Sequence, residues 1–223
     1  MTSKAAVNRI IETLKGIYPD GLCSLQYKKD YELLFAVRLS AQCTDERVNK
    51  VTPALYARFP TLESFAEADP AEVGEYIHSC GFYNGKARDI VACAQKLVNE
   101  YGGRVPGTME ELTGLPGVGR KTANLILGDV YGQPSYVCDT HCIRITGLLG
   151  LTDGSKDPVK VEMQLRRVQV ERQLRERIPP KESNNFCHRM VLFGRDTCTA
   201  RSPKCEGCPL AKDCDTAKAA RRG

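Results

Sequence analysis

Lys121 and Asp139 stand where their neighbours could make them reactive. Lys121 follows the run Leu115-Pro116-Gly117-Val118-Gly119-Arg120, and an apolar helical pattern continues from it to about Tyr131. A lysine in the first turn of a helix is electrostatically misplaced, because the dipole there disfavours cations. With Arg120 beside it and partial burial, such a lysine is expected to have a lowered pKa. The free amine is then a nucleophile that can attack a sugar C1′ and form a Schiff base. Position alone leaves a second role open, that of a phosphate-binding lysine. Asp139 comes eighteen residues later, in Val137-Cys138-Asp139-Thr140-His141, ahead of Ile143, Leu148 and Leu149. It reads as a helix N-cap, and capping would also hold its carboxylate in a fixed direction.

A second constellation is made of sulfur. Cys198, Cys205, Cys208 and Cys214 fall within seventeen residues, with the spacing Cys-x6-Cys-x2-Cys-x5-Cys. In a reducing compartment four such thiolates bind something soft and tetrahedral. Structural zinc satisfies that chemistry, and so does an iron–sulfur cluster. Zinc sites usually pair two short hooks across a longer spacer, and this stretch has one hook, Cys205-x2-Cys208. Between the first two cysteines lie Arg201 and Lys204, on a loop expected to be pinned at both ends. Pinning lowers the ordering cost of a phosphate contact. Solvated charge is the plainer reading of the two residues.

These groups need elements to hold them. Thr108-Met109-Glu110-Glu111 is a capping box opening a short helix that ends near Thr113. Gly117 and Gly119 are expected to bend the backbone tightly and leave its N–H groups uncovered. Beside the positive end of the next helix these donors make an anion site, with Val118 pinning the turn into the core. Elsewhere the hydrophobic period is helical: Ile10, Ile11, Leu14 and Ile17; Val48, Val51 and Leu55; Ile90, Val91, Ala94, Leu97 and Val98. Asp69-Pro70-Ala71-Glu72 and Asp157-Pro158 mark further helix starts, and Gly81, Gly102 and Gly132 mark left-handed C-terminal caps. Ser40-Ala41-Gln42-Cys43-Thr44-Asp45 joins two helical runs, with Thr44 or Asp45 as cap. No run alternates as a strand does, so the fold class is all-α.

Composition narrows the function. The 223 residues include no apolar stretch long enough for a membrane span, and the start MTSKAAVNRI lacks a secretory pattern. Eleven cysteines then point to reduced thiols and metal ligation, in a cytoplasmic protein, rather than to disulfides. The net charge of +5 is unevenly spread. Residues 1–133 carry 15 basic and 16 acidic side chains, and residues 134–223 carry 17 and 11. A basic C-terminal half suits a polyanionic partner, although charge alone does not separate that from a merely soluble surface.

Taken with their spacing, these residues resemble the endonuclease III family of the helix–hairpin–helix DNA glycosylase superfamily. The resemblance runs from about residue 5 to Cys214 and is weakest over 152–182, where Val161 to Arg177 is longer than the family's usual stretch. It implies that Lys121 is the nucleophile and that Asp139 assists deprotonation and stabilises the charged sugar. It also implies that Leu115, Gly117, Val118 and Gly119 belong to a hairpin gripping one DNA phosphate without reading sequence. The four cysteines, with Pro209 after the third, match the family's [4Fe–4S] loop, a structural cluster with no open position. Gln42 matches the glutamine that fills the gap left by a flipped base. Phe82, in Gly81-Phe82-Tyr83-Asn84, stands in the second wedge loop, where leucine is common, and could stack. His141 matches the family's histidine and is expected near DNA, as are Arg201 and Lys204.

The implied architecture is two helical lobes with a DNA cleft between them. One is a six-helix barrel over residues 23–133 containing the hairpin, and the other is a cluster lobe over 1–22 and 134–223. The implied activity is removal of oxidised pyrimidines followed by strand cleavage through β-elimination, performed by a monomer on double-stranded DNA. In a prokaryote the protein would be nucleoid-associated. One rival is an adenine-mismatch glycosylase, which usually lacks the lysine and carries a further domain. Another is a non-catalytic, metal-stapled DNA-binding module.

Overall fold

The computed structural model describes residues 2–153 and 162–220. Among these no strand occurs, and no helix is long and apolar enough to cross a membrane. The chain divides into two compact units, Cys23–Gln133 and Met1–Leu22 with Pro134–Gly223.

The first unit contains α2 (Asp30–Leu39), α3 (Asp45–Arg58), α4 (Leu62–Ala66), α5 (Pro70–Ile77), a 3-10 turn (His78–Cys80), α6 (Tyr83–Tyr101), α7 (Met109–Thr113) and α8 (Arg120–Asp129). Helix α2 is apolar on nearly all sides and buries Leu33, Leu34, Phe35, Ala36, Val37 and Leu39, which makes it the centre of the unit. Its one buried acid, Glu32, accepts hydrogen bonds from the backbone N–H groups of Lys28 (2.7 Å) and Lys29 (3.2 Å), satisfying donors at the helix start. Phe65 packs on Phe35 and Phe59 with ring centroids 5.0 and 5.1 Å apart, locking α4 to the centre. The α6 face of Ile90, Val91, Ala94 and Leu97 is buried as its period requires.

The second unit contains α1 (Lys4–Ile17), α9 (Thr140–Leu148), α10 (Glu162–Arg175), a 3-10 turn (Pro180–Glu182), α11 (Ser183–Asp196) and α12 (Asp215–Ala220). Helix α1 joins it through Ile10, Ile11 and Leu14. The buried Arg189 of α11 donates to the carbonyls of Tyr18 and Pro19, both at 2.9 Å. Arg9 of α1 reaches Asp213 at 2.5 Å, so both ends of the chain are tied into one unit.

Several helix ends differ in detail from expectation. Thr44, not Asp45, caps α3, accepting from the Arg47 N–H. Asp69 caps α5 through the Ala71 N–H, but Glu72 is held by Arg58 at 2.5 Å instead of closing a capping box. Gly102 adopts the left-handed cap, whereas Gly81 combines φ 66° with ψ 152° and leads the chain out in an extended direction. Helix α8 ends at Asp129, two residues short of Tyr131. The expected start at Asp157-Pro158 lies outside the described residues.

Candidate active site

The hairpin is built as its sequence requires, with one change in how the labour is divided. Thr108 caps α7 by accepting from the Glu111 N–H, and Lys96 donates to the Gly114 carbonyl at 3.1 Å where α7 stops. Leu115 and Val118 point inward, at 3% and 8% exposure, and pin the turn. The bend belongs to Gly117 alone, at φ 72°. Gly119 is extended (φ −101°, ψ 174°), and a Cβ built on it meets nothing within 4 Å. It leaves open space in front of the start of α8, where no side chain caps the first-turn N–H groups. Those donors and the helix dipole form an exposed anion site. Lys121 is the second residue of this helix and is half-buried.

Two residues that the sequence did not single out brace this turn. A Cβ on Gly117 would lie 2.9 Å from Arg38 Nε, Asp89 Cβ and Asp89 Oδ2. Arg38 of α2 donates from Nε to Asp89 Oδ2 of α6 at 2.7 Å, and its second nitrogen lies 2.6 Å from the same oxygen. An ion pair between two core helices is therefore the floor on which the turn rests. The partners are 51 residues apart in sequence, so no local pattern could have shown them.

In the second unit, Ser135, Tyr136, Val137 and Cys138 are buried and deliver the chain to α9. The Tyr136 hydroxyl donates to the Ile178 carbonyl at 2.8 Å, and Arg175 lies over its ring. Asp139 then caps α9, its Oδ1 accepting from the Cys142 N–H at 2.7 Å. His141 packs against α11 at Gly194, where any Cβ would fall 2.4 Å from its Nδ1. One turn on, Arg144 donates to the Cys198 carbonyl at 2.5 Å and to its Sγ at 3.4 Å. A single helix thus carries the aspartate at its start and contacts the first cysteine from its middle. Arg144 is a further residue that sequence reading missed.

All four cysteines line one cavity of about 290 Å³, together with Arg144, Phe193 and Leu210. None is in a disulfide. Zinc holds thiolates at about 2.3 Å, which requires its sulfurs to crowd around one point. Four soft sulfur donors around one cavity fit an iron–sulfur cluster, as they would a structural zinc ion.

Comparison with known proteins agrees with this geometry. Residues 35–170 match the HhH-GPD superfamily of base excision DNA repair proteins, and residues 198–214 match the iron–sulfur binding domain of endonuclease III. Endonuclease III of Synechocystis sp. is 44% identical over 219 residues, covering 98% of this chain and 95% of that protein. That of Escherichia coli K12 is 36% identical, covering 96% of each. The chain belongs to the endonuclease III family. A solved structure of a trapped endonuclease III–DNA covalent intermediate superposes with TM-score 0.89 at 37% identity over 100% of both chains. A non-covalent endonuclease III–DNA complex gives the same TM-score.

This member of the family is accordingly an all-α, iron–sulfur base excision repair enzyme, a DNA N-glycosylase and AP lyase. The cysteines Cys198, Cys205, Cys208 and Cys214 are the residues able to hold its cluster, with Arg144 offsetting thiolate charge. Arg201 and Lys204 are exposed between the first two ligands. The remaining sequence-selected residues share an unusual backbone. Gln42 (φ 56°) and Phe82 (φ 49°) are the two non-glycine residues with positive φ among the described residues. Both are exposed, Phe82 at 73%. Left-handed backbone in a bulky residue costs of order 1 kcal/mol or more, and such strain concentrates at ligand-contacting positions.

Gly117→Ala tests the hairpin. The methyl group has to displace the Arg38–Asp89 pair and accept a left-handed backbone, costing roughly 1–3 kcal/mol of stability. In anisotropy titrations against an abasic-analogue duplex, affinity should fall and the log–log salt slope should shrink by about one unit. Unchanged affinity and slope would remove the hairpin from the DNA contact.

Proposed function

We propose that Lys121 and Asp139 carry the glycosylase and lyase chemistry of this enzyme, with oxidised pyrimidines in double-stranded DNA as the damage removed. The observation that supports this most directly is the setting of Lys121. It is a half-buried amine in the first turn of α8, directly after an exposed anion site. A phosphate held at the Gly117–Gly119 turn brings the neighbouring deoxyribose towards that amine.

In the proposed reaction Lys121 Nζ forms a bond to C1′ as the C1′–base bond breaks, and the damaged base leaves with a proton. Opening of the sugar ring gives the imine. Loss of a C2′ proton then expels the 3′ phosphate by β-elimination. Asp139 accepts the lysine proton and offsets the developing positive charge. Its capping bond occupies Oδ1 and fixes the direction of the carboxylate, leaving Oδ2 for proton transfer. The iron–sulfur cluster takes no step in this chemistry. It supplies the cross-link that orders the loop carrying Arg201 and Lys204 and, through Arg144, the helix that Asp139 caps.

Gln42 and Phe82 serve as the wedges that occupy the stack when the nucleotide is turned out. The two turn glycines present the backbone that holds the phosphate, Leu115 and Val118 pin that turn into the core, and His141, Arg201 and Lys204 add contacts. The protein acts as a monomer, in the cytoplasm and at the nucleoid. The test is a duplex containing one abasic site or one oxidised pyrimidine. Both should be cut, leaving an unsaturated 3′ aldehyde. An uncut abasic duplex would reduce the protein to a binding module.

Lys204→Ala separates the cluster loop from the hairpin. If the loop touches phosphate, the salt slope should fall by about one unit with excision otherwise intact at low salt. An unchanged slope assigns Lys204 to solvent.

A further inference from the structure

Gln42 and Phe82 hold a left-handed backbone without the freedom of a glycine. Such strain persists only where the surroundings over-determine it, and Lys86 contributes to that in both loops. Lys86 is the fourth residue of α6 and is only 1% exposed. Side chains on a helix lean towards its N-terminus, so this one runs back over the first turn. There Nζ donates to the Leu39 carbonyl at 2.8 Å and to the Cys80 carbonyl at 2.7 Å. Leu39 closes α2 three residues before Gln42, and Cys80 closes the 3-10 turn two residues before Phe82. Carbonyls at such ends have no partner within their own helix. The backbone N–H of Lys86 donates in turn to the Phe82 carbonyl at 3.2 Å. One residue therefore holds the chain on both sides of Phe82 and the root of the Gln42 loop as well.

Taking an ammonium group out of water is costly, and burial pulls the pKa of Lys86 below the ordinary lysine value. A side chain that merely filled this space would be apolar. What the polar one adds is two bonds between elements far apart in the chain. Asp89, three residues further along the same face of α6, pairs with Arg38, the residue before Leu39. That pair lies under Gly117. The end of α2 is thus bonded twice to α6, once beneath the glycine turn and once at the roots of the two exposed loops.

We propose that Lys86 is a positioning residue for turning the nucleotide out of the stack: its two side-chain bonds fix Gln42 and Phe82 relative to one another before DNA arrives. The inference rests on the reading of these two residues as wedges. A wedge has to enter a narrow gap, and a preformed pair does so without ordering two loops at the moment of insertion. Lys86 takes no part in the chemistry at C1′. Its loss should therefore slow the reaction only where the nucleotide must first be displaced.

The experiment uses the full-length, cluster-loaded enzyme and Lys86→Met, which keeps the length of the side chain but has no donor. Melting temperature and cluster absorbance are recorded on each preparation. Single-turnover excision of one oxidised pyrimidine is measured in a fully paired duplex and in a duplex that places the lesion in a short unpaired bubble. Unstacking is easiest in the bubble. Lys86→Met should be slower by roughly 10- to 100-fold on the paired duplex, since misplacement by about 1 Å can cost about 10²-fold. On the bubble it should stay close to the wild-type rate. The log–log salt slope for undamaged duplex should not change, because the glycine turn keeps its Arg38–Asp89 support. Lys86→Gln retains an amide donor for one carbonyl and should recover part of the loss; where Lys86→Met does not fold, Lys86→Gln carries the same comparison. Equal slowing on both duplexes, or a wild-type rate on the paired one, overturns the proposal. Gln42→Ala and Phe82→Ala, run alongside, examine the wedge reading separately. Normal excision of the paired duplex by both removes that reading and this inference with it. Slowing in these two with none in the Lys86 variants removes Lys86 alone.

Discussion

Replacing Lys121 with glutamine is expected to abolish borohydride trapping of the enzyme on damaged DNA while leaving DNA binding close to normal. Borohydride reduces an imine to a stable amine before water can release it, so a covalent adduct reports the nitrogen that attacked C1′. Glutamine keeps much of the length of lysine and its polarity but offers no nucleophilic nitrogen. The side chain occupies the second position of α8, where the backbone N–H groups and not the side chain make the anion site. Phosphate contacts should therefore survive, and removing a cation from the positive end of a helix should raise stability slightly, by about 0.3–1 kcal/mol. The measurements are the gel-shifted adduct, the affinity for an abasic-analogue duplex and the melting temperature, taken on the same preparation. An adduct that persists in Lys121→Gln would place the nucleophile elsewhere.

Asp139→Asn should separate catalysis from architecture. Asparagine caps helices about as well as aspartate, so its side-chain oxygen can keep the 2.7 Å bond to the Cys142 N–H. Losing the charge at a helix N-terminus costs about 1 kcal/mol or less. Loss of the proton acceptor should lower the single-turnover rate by roughly 10²–10⁴-fold. Asp139→Ala should show a similar rate and a further stability loss of about 1 kcal/mol from the missing cap. If Asp139→Asn excises at nearly the normal rate, Asp139 is a capping residue and no more.

The asymmetry between the two kinds of residue in this protein has a physical cause. Lys121, Asp139, the turn glycines and the four cysteines act through their position relative to near neighbours in the chain. A helix start, a cap, a turn and a ligand loop are all local, so their residues follow one another at fixed spacing. That is why the hairpin, the N-cap of α9 and the cluster loop were legible, down to Val118 facing inward. The cap at Thr44 rather than Asp45, and Glu72 drawn to Arg58, were not decided locally, since each depends on which partner the fold brings near.

The sequence by itself determined the all-α class, the chemistry of the sulfur loop, the capped start of α9 and the glycine turn before α8, because each is written within one helical turn or one loop. Only the tertiary structure decided what supports them. It places the Arg38–Asp89 pair under Gly117, Gly194 against His141 and Arg144 on Cys198. These contacts join residues from 28 to 79 positions apart, and hydrogen bonds and steric limits across such distances leave no periodic trace in a chain. They arise when helices pack, and packing depends on the whole set of side chains at once.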